Sequence, residues 1–329
     1  MNTIQIDNRV YSQIDSSKES RLFPLGEESA ALFDLSYLTL IEVSGNKSME
    51  FLQGQLSCDV SKVTSDKMRQ GVFCNLKGRI LSLADIISWQ HYYLIVPKDL
   101  CDKTIESLNK PAMLSRVKLH AVSDFFIFGL YSSPGSQPLA HLDIELPEQQ
   151  YGLVFNDALC CYSLGNNYYH VISRSDDLKN RFIAQKQFYG SLAWHQLQLR
   201  RRQIEIYPSS RGLFLPHRLD LHLAGYLDFQ KGCYKGQEII ARTHYKAKLK
   251  HKLAIYLIET DEPLVLGQRI LADDRNSELG ELVDFCPLEN NQYLAAASIL
   301  FEHPERVYFE GHQNSVRLQE NIPAGFYCH

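Results

Sequence analysis

At 329 residues, with 45% hydrophobic and 22% charged side chains, the chain reads as a soluble globular protein too long for one ordinary core, so two or three domains are expected. The formal charge of −4 removes any bulk electrostatic case for nucleic-acid binding and leaves only local basic patches to consider. Residues 1–25 hold Asp7, Arg9, Asp15, Lys18, Glu19 and Arg21 with no apolar run, and nowhere does an apolar stretch approach about 18 residues. Neither a secretory signal, a transit peptide nor a membrane span is therefore expected, and a cytoplasmic location follows.

In chain order, residues 38–43 form a β-branched run that stops at Ser44-Gly45-Asn46, which reads as a strand and a turn. Asn46 is placed to cap a helix over 47–56, with Gly54 weakening it. Residues 71–87 form a β-hairpin turned by Asn75 to Gly78, 92–96 supply a strand before Pro97, and a helix is expected over 99–108. Strands follow at 117–122 and 125–131, then an antiparallel set at 151–155, 159–164 and 168–172 with Gly165-Asn166-Asn167 as a turn. Helices are expected over 176–189 and 194–204, and the Arg200-Arg201-Arg202 run at the end of the second reads as a solvated face. From Lys252 onward, turns at 261–263, 273–274, 289–291 and 323–325 punctuate strands of a small all-β domain. This is an α+β pattern without regular βαβ alternation.

The eight cysteines (58, 74, 101, 160, 161, 233, 286 and 328) include no C-x-x-C pair and no zinc spacing, so neither a structural metal nor a resident iron–sulfur cluster is expected. One of them stands apart. In Lys231-Gly232-Cys233-Tyr234-Lys235-Gly236-Gln237-Glu238, two glycines bracket the thiol, two lysines flank it, and good helix formers begin at Gln237. Nearby ammonium groups and a helix N-terminus favour a thiolate. A small apolar cysteine buried in a glycine turn fits the same spacing.

The octapeptide matches K-G-C-Y-x-G-Q-E, the signature of the YgfZ-type folate-binding proteins, which are relatives of the glycine-cleavage aminomethyltransferase. The resemblance extends to Phe51-Leu52-Gln53-Gly54-Gln55-Leu56-Ser57-Cys58-Asp59-Val60, to Phe73-Cys74-Asn75-Leu76-Lys77-Gly78-Arg79-Ile80, to Trp194 through Arg200, and to Leu215-Pro216-His217-Arg218-Leu219-Asp220-Leu221. It implies a three-domain ring of the aminomethyltransferase type, with ferredoxin-like α/β domains and a C-terminal β-barrel. The domains would be 1–115 (folate-binding, with 191–245 packing back), 116–190 and 246–329. It also implies tetrahydrofolate or a derivative as ligand, with Asn75, Lys77, Arg79, Trp194 and Arg200 as candidate contacts. Iron–sulfur enzymes, including tRNA-methylthiolating ones, would be the clients of a monomer. Cys233, Lys231 and Glu238 are the candidate catalytic groups, with Gly232, Tyr234, Lys235, Gly236, Gln237 and Arg242 completing the loop and helix.

Two other readings stand beside this one. Aminomethyltransferase chemistry is not expected, because that enzyme's paired aspartates fall here on Ser82 and Leu83, and Asp85 is out of register by two or three residues. A noncatalytic folate-binding module remains the alternative. The segment 242–252 carries seven basic side chains, but no RNA-binding signature accompanies it, so it reads as a solvated edge and direct nucleic-acid binding is not expected.

Overall fold

The computed structural model describes residues 2–14, 19 and 30–320. The chain divides into two compact units: Met1–Phe73 with Ser82–Trp194 and Tyr226–Lys235, and Cys74–Leu81 with His195–Gly225 and Gly236–His329.

The first unit opens with a hairpin, β1 (Asn2–Ile6) and β2 (Arg9–Gln13), followed by β3 (Ala30–Asp34), β4 (Leu38–Ser44) and the short helix α1 (Ser48–Gln53). Next come β5 (Arg69–Cys74), β6 (Ile80–Trp89), β7 (His91–Pro97), α2 (Lys98–Ser115) and β8 (Lys118–Val122). Strands β9 (Phe126–Ser132), β10 (Leu153–Phe155), β11 (Leu159–Gly165) and β12 (Tyr168–Ser173) lead to α3 (Asp177–Ala184), β13 (Phe188–Tyr189) and α4 (Ser191–Arg200), whose residues from His195 on are counted with the second unit. They form a five-stranded sheet, β5-β6-β7-β4-β8, and a six-stranded one, β10-β11-β12-β9-β3-β13. α2 buries Leu100, Thr104, Leu108 and Ala112, a stripe repeating every four residues, so one helix face is committed to the core.

Several boundaries differ from expectation for identifiable reasons. Asn46 does not cap α1; Lys47 occupies that position, and the Ser48 hydroxyl instead donates to the Gly45 carbonyl. α2 continues past 108 and through Pro111 to Ser115, because its buried stripe outweighs one missing N–H, and it ends where Arg116 turns left-handed at φ 57°. The helix expected over 176–189 stops at Ala184, and Phe188–Tyr189 instead pairs in parallel with Leu32 and Phe33. A distant strand edge there overrides local propensity. α4 starts at Ser191, whose hydroxyl accepts from the Ser12 N–H, and Arg202 (φ 59°) lies beyond its end.

The second unit contains α5 (Gln237–Lys246) and the strands β14 (His251–Glu259), β15 (Arg269–Leu271), β16 (Glu278–Pro287), β17 (Gln292–Leu300), β18 (Arg306–Phe309) and β19 (Val316–Arg317). Their order is β14-β17-β16-β15-β18-β19, and Leu257 of β14 exchanges two backbone hydrogen bonds with Gln319, just past β19. The sheet thereby nearly closes into a six-stranded barrel around Tyr256, Ile258, Ile270, Leu282, Ala297, Ile299, Val307 and Phe309, as expected for this end of the chain. The turn expected at 323–325, and Cys328, lie outside the described residues. Among the described residues no helix is long and apolar enough to cross a membrane.

Candidate functional site

The eight residues of the signature are shared between the two units, with the boundary after Lys235. In the first unit, residues 226–235 are tied to the α1–β5 connection. Asp228 N–H donates to the Ser57 carbonyl, the Ser57 hydroxyl donates to the Tyr226 carbonyl, and Lys62 pairs with Asp228 at 2.6 Å. Lys235 N–H donates to the Gly54 carbonyl. Lys231 supplies the central tie. Its ammonium, in a residue only 9% exposed, donates to the carbonyls of Gln53, Leu56 and Cys58 at 2.7, 2.6 and 2.8 Å, and stands 5.0 Å from the centre of the Tyr234 ring. Burial lowers this ammonium to about 8 against the opposing pull of nearby Cys58, Asp59 and Asp228. Lys231 is thus engaged with the main chain of the Phe51-to-Asp59 segment and ties it to the signature loop.

This arrangement leaves Gly232 and Cys233 at an exposed tip. A Cβ added to Gly232 would meet nothing within 4 Å. Among the described cysteines Cys233 is exposed and the other six are buried, so the reading of Cys233 as a core residue is corrected. Burial also pushes the Cys58 thiol up to about 12 and raises Cys160, Cys161 and Cys286, suppressing thiolate at those sites.

In the second unit, Gly236 caps α5 with φ +86°, and a Cβ there would fall 2.5 Å from the Asn75 carbonyl oxygen. Gly78, at φ +69°, likewise lies against Ile239 and Ile240. The two glycines let the hairpin tip and the start of α5 touch through main chain. Asn75 builds that tip: its side-chain oxygen accepts from the N–H groups of Lys77 and Arg79. The Arg79 guanidinium donates to the Leu213 carbonyl, Lys77 is exposed, and Arg200 is half-buried. Gln237 is half-buried, while Glu238 and Arg242 are exposed, with no ion pair between those two. Arg202 pairs with Asp220 at 3.0 Å, so the Arg200–Arg202 run is not simply a solvated face.

Trp194 lies fully buried in the first unit, its ring 5.2 Å from Phe33, 5.8 Å from Tyr168 and 5.6 Å from His170. A Cβ at Gly129 would fall 2.5 Å from this ring, so that glycine makes room for it. Next to Trp194 is a polar cluster that sequence reasoning missed. The Asp85 carboxylate accepts from Gln70 Nε2 and from the Tyr162 hydroxyl, each at 2.9 Å, and lies 3.2 Å from His170 Nδ1. Tyr162 Oη and His170 Nδ1 are 2.8 Å apart. Burial first, and Asp85 second, raise the Tyr162 phenol well above its ordinary value. His170 Nε2 and Trp194 Nε1 are both buried without a hydrogen-bond partner, and such buried orphan atoms are uncommon in folded proteins. The available signal was an Asp and a His set into otherwise apolar strands, β6 and β12.

The second unit holds three imidazoles together: His217, which is 1% exposed, His222 and His244, with ring centres 4.8, 5.8 and 6.4 Å apart. Burial first, then the charges of the other two rings, lowers His217 to about 4. No group of three His, Cys, Asp or Glu among the described residues could hold a metal ion.

No family model matches the chain. It is similar to curated proteins named tRNA-modifying protein YgfZ. The one from Colwellia psychrerythraea is 24% identical over 236 residues, 70% of this chain and 73% of that protein. Its counterpart from Yersinia pestis (strain Pestoides F) is 25% identical over 228 residues, covering 68% and 69%. Among solved structures, a glycine cleavage system aminomethyltransferase T from Bartonella henselae superposes with a TM-score of 0.75 over 98% of this chain and 93% of that one, at 14% identity. The resemblance carried by the signature is upheld, and the fold is that of the aminomethyltransferase.

Proposed function

We propose that this protein is a folate-dependent accessory factor that supports iron–sulfur enzymes, among them tRNA-modifying ones, and that Cys233 is its working thiol. The observation that carries the reading is the tip itself: a rigidly anchored loop presents Cys233 to solvent while the other described cysteines are buried. An accessible thiol can act as a nucleophile or as a soft ligand for iron or sulfide once deprotonated. The names and fold of the relatives support the choice of setting.

For the folate, the residues present fit a flat heterocycle. His170 Nε2 and Trp194 Nε1 are unpartnered polar atoms inside one aromatic cluster, and Asp85 and Tyr162 stand behind His170. His170 and Trp194 would give the ring its hydrogen-bond partners, and Asp85 would hold the His170 imidazole in one orientation. When bound, folate supplies a carrier for one-carbon units. Of the contacts expected from sequence, Trp194 belongs to this cluster, whereas the Asn75 side-chain oxygen is occupied within its own turn. Aminomethyltransferase chemistry remains disfavoured: the Ser82 hydroxyl donates to the Leu83 carbonyl, and neither residue offers a carboxylate.

A noncatalytic folate-binding module is the second reading, favoured by one observation: Lys231, expected to assist the thiol, is committed to three carbonyls. Alkylation of each cysteine as a function of pH, read by mass spectrometry, separates the two. The working-thiol reading expects Cys233 to react ahead of the buried cysteines, and Cys233→Ala to fail in restoring iron–sulfur enzyme activity to a deletion strain. An unreactive Cys233 with full complementation by the alanine variant leaves the module. Tetrahydrofolate titration, followed by Trp194 fluorescence, tests the ligand independently; absence of a saturable change refutes it.

A further inference from the structure

The segment following the signature contains no Asp or Glu between Glu238 and Glu259, in a chain whose net charge is −4. In the second unit, Arg242, Tyr245, Lys246, Lys248 and Lys250 of this segment are all exposed. No ion pair engages Arg242 or these three lysines among the described residues, whereas Lys252 farther along is 3.7 Å from Glu320. The segment is fixed in place at both ends. α5 holds residues up to Lys246, and the Phe301 N–H donates to the Lys250 carbonyl at 3.1 Å where β14 begins. That bond sets Phe301, 54% exposed, beside the last lysine, while Tyr245, 68% exposed, stands beside the first.

Against the solvated edge and the absence of direct nucleic-acid binding expected from sequence, we infer from this placement that the stripe from Tyr245 to Phe301 is a docking surface for a single-stranded stretch of nucleic acid. Charge complementarity selects a polyanion. Two large exposed rings bracketing three unpaired ammonium groups select one whose anionic backbone carries flat, stackable groups. An acidic protein surface satisfies the lysines but brings no series of flat groups to stack on the exposed faces of Phe301 and of Tyr245, the latter T-shaped against His244 at 4.8 Å. The net negative charge elsewhere confines binding to this stripe. The inference is independent of folate and of Cys233, which belong to other parts of the chain.

The test is fluorescence anisotropy with fluorescein-labelled 12-nucleotide oligouridine and oligothymidine, set against a labelled poly-glutamate peptide of equal charge. Binding of either oligonucleotide should weaken with salt, log K falling against log [salt] with a slope of about −2 to −3 for three or four phosphate contacts on a single strand. Replacing Tyr245 or Phe301 by Ala should weaken binding at least about 5-fold, the loss of one stacked base. Charge reversal at Lys246, Lys248 and Lys250 together should abolish it, with unchanged thermal unfolding showing that the protein still folds. Tighter binding of RNA than DNA would point to contacts with the 2′-hydroxyl; equal binding would point to phosphates and base faces alone, and both support the surface. Poly-glutamate binding as tightly as the oligonucleotides, with both ring variants unaffected, overturns the inference in favour of an acidic protein partner. Failure of both oligonucleotides to bind at low salt overturns it outright.

Discussion

Replacing Lys231 by Met tests what this lysine is for. The methionine keeps the length and apolar stem of the side chain but removes an ammonium that donates to three main-chain carbonyls, those of Gln53, Leu56 and Cys58. Each carbonyl left buried without a donor costs about 1–3 kcal/mol. Against that, the variant no longer strips water from a charge, a cost of several kcal/mol for an ion taken inside. Partial relaxation of the α1–β5 connection recovers some of the remainder. We therefore expect a net loss of roughly 3 kcal/mol, a large share of the 5–15 kcal/mol typical of a folded protein. Chemical denaturation gives the global figure. Hydrogen exchange gives the local one, with lost protection concentrated at the amides of Lys235 and Asp228, which donate to Gly54 and Ser57. Lys231→Arg should rescue only partly, because a planar fork cannot reproduce three convergent donors from one nitrogen. If Lys231→Met unfolds at the wild-type midpoint with unchanged protection, yet slows Cys233 alkylation, the anchoring role is wrong and the lysine serves the thiol.

Three further outcomes follow from the geometry. Gly236→Ala should destabilise by about 2 kcal/mol or more, since it adds a left-handed penalty of about 1–2 kcal/mol to a Cβ contact of 2.5 Å with main chain; thermal unfolding measures it. Tyr162→Phe should cost about 1–3 kcal/mol in denaturant titrations by leaving the buried Asp85 carboxylate one donor short, and a cost near zero would mean that water fills the gap. For pH, His217 is held at about 4 when folded against an ordinary value of 6.5. The unfolded chain therefore takes up the proton first as pH falls through 6.5, and stability drops progressively down to about pH 4, by roughly 3 kcal/mol in all. His217→Phe should flatten that part of the stability–pH curve.

Local chemistry was legible in the sequence wherever a residue's neighbours in the chain decide its conformation. Asn75 and Gly78 announce their turn, Asn166 and Asn167 (φ 54° and 66°) theirs, and Gly236 the start of α5. Long-range partnership was not legible. The three acceptors of Lys231 lie 173 to 178 residues away, so its lysine identity suggested a charge for the thiol rather than an anchor for the loop. Tyr162 lies 77 residues from Asp85, which by register alone looked like a displaced carboxylate. Phe188 and Tyr189 carried a helical pattern until the edge of β3 claimed them. In each case the deciding contact belongs to another segment, and no window of local periodicity contains it.

The pair of bonds between Leu257 and Gln319 also bears on how the protein avoids sticking to copies of itself. An open six-stranded sheet would present two rows of unpaired N–H and C=O groups, ready to template strands from other molecules. Here part of the first strand's free edge is taken up by the chain running on from the last strand. Truncation just before Val316 would uncover β14 on one side and β18, paired with Val316 and Arg317, on the other. A protein so shortened should fail first by aggregation, at concentrations where the full chain stays dispersed.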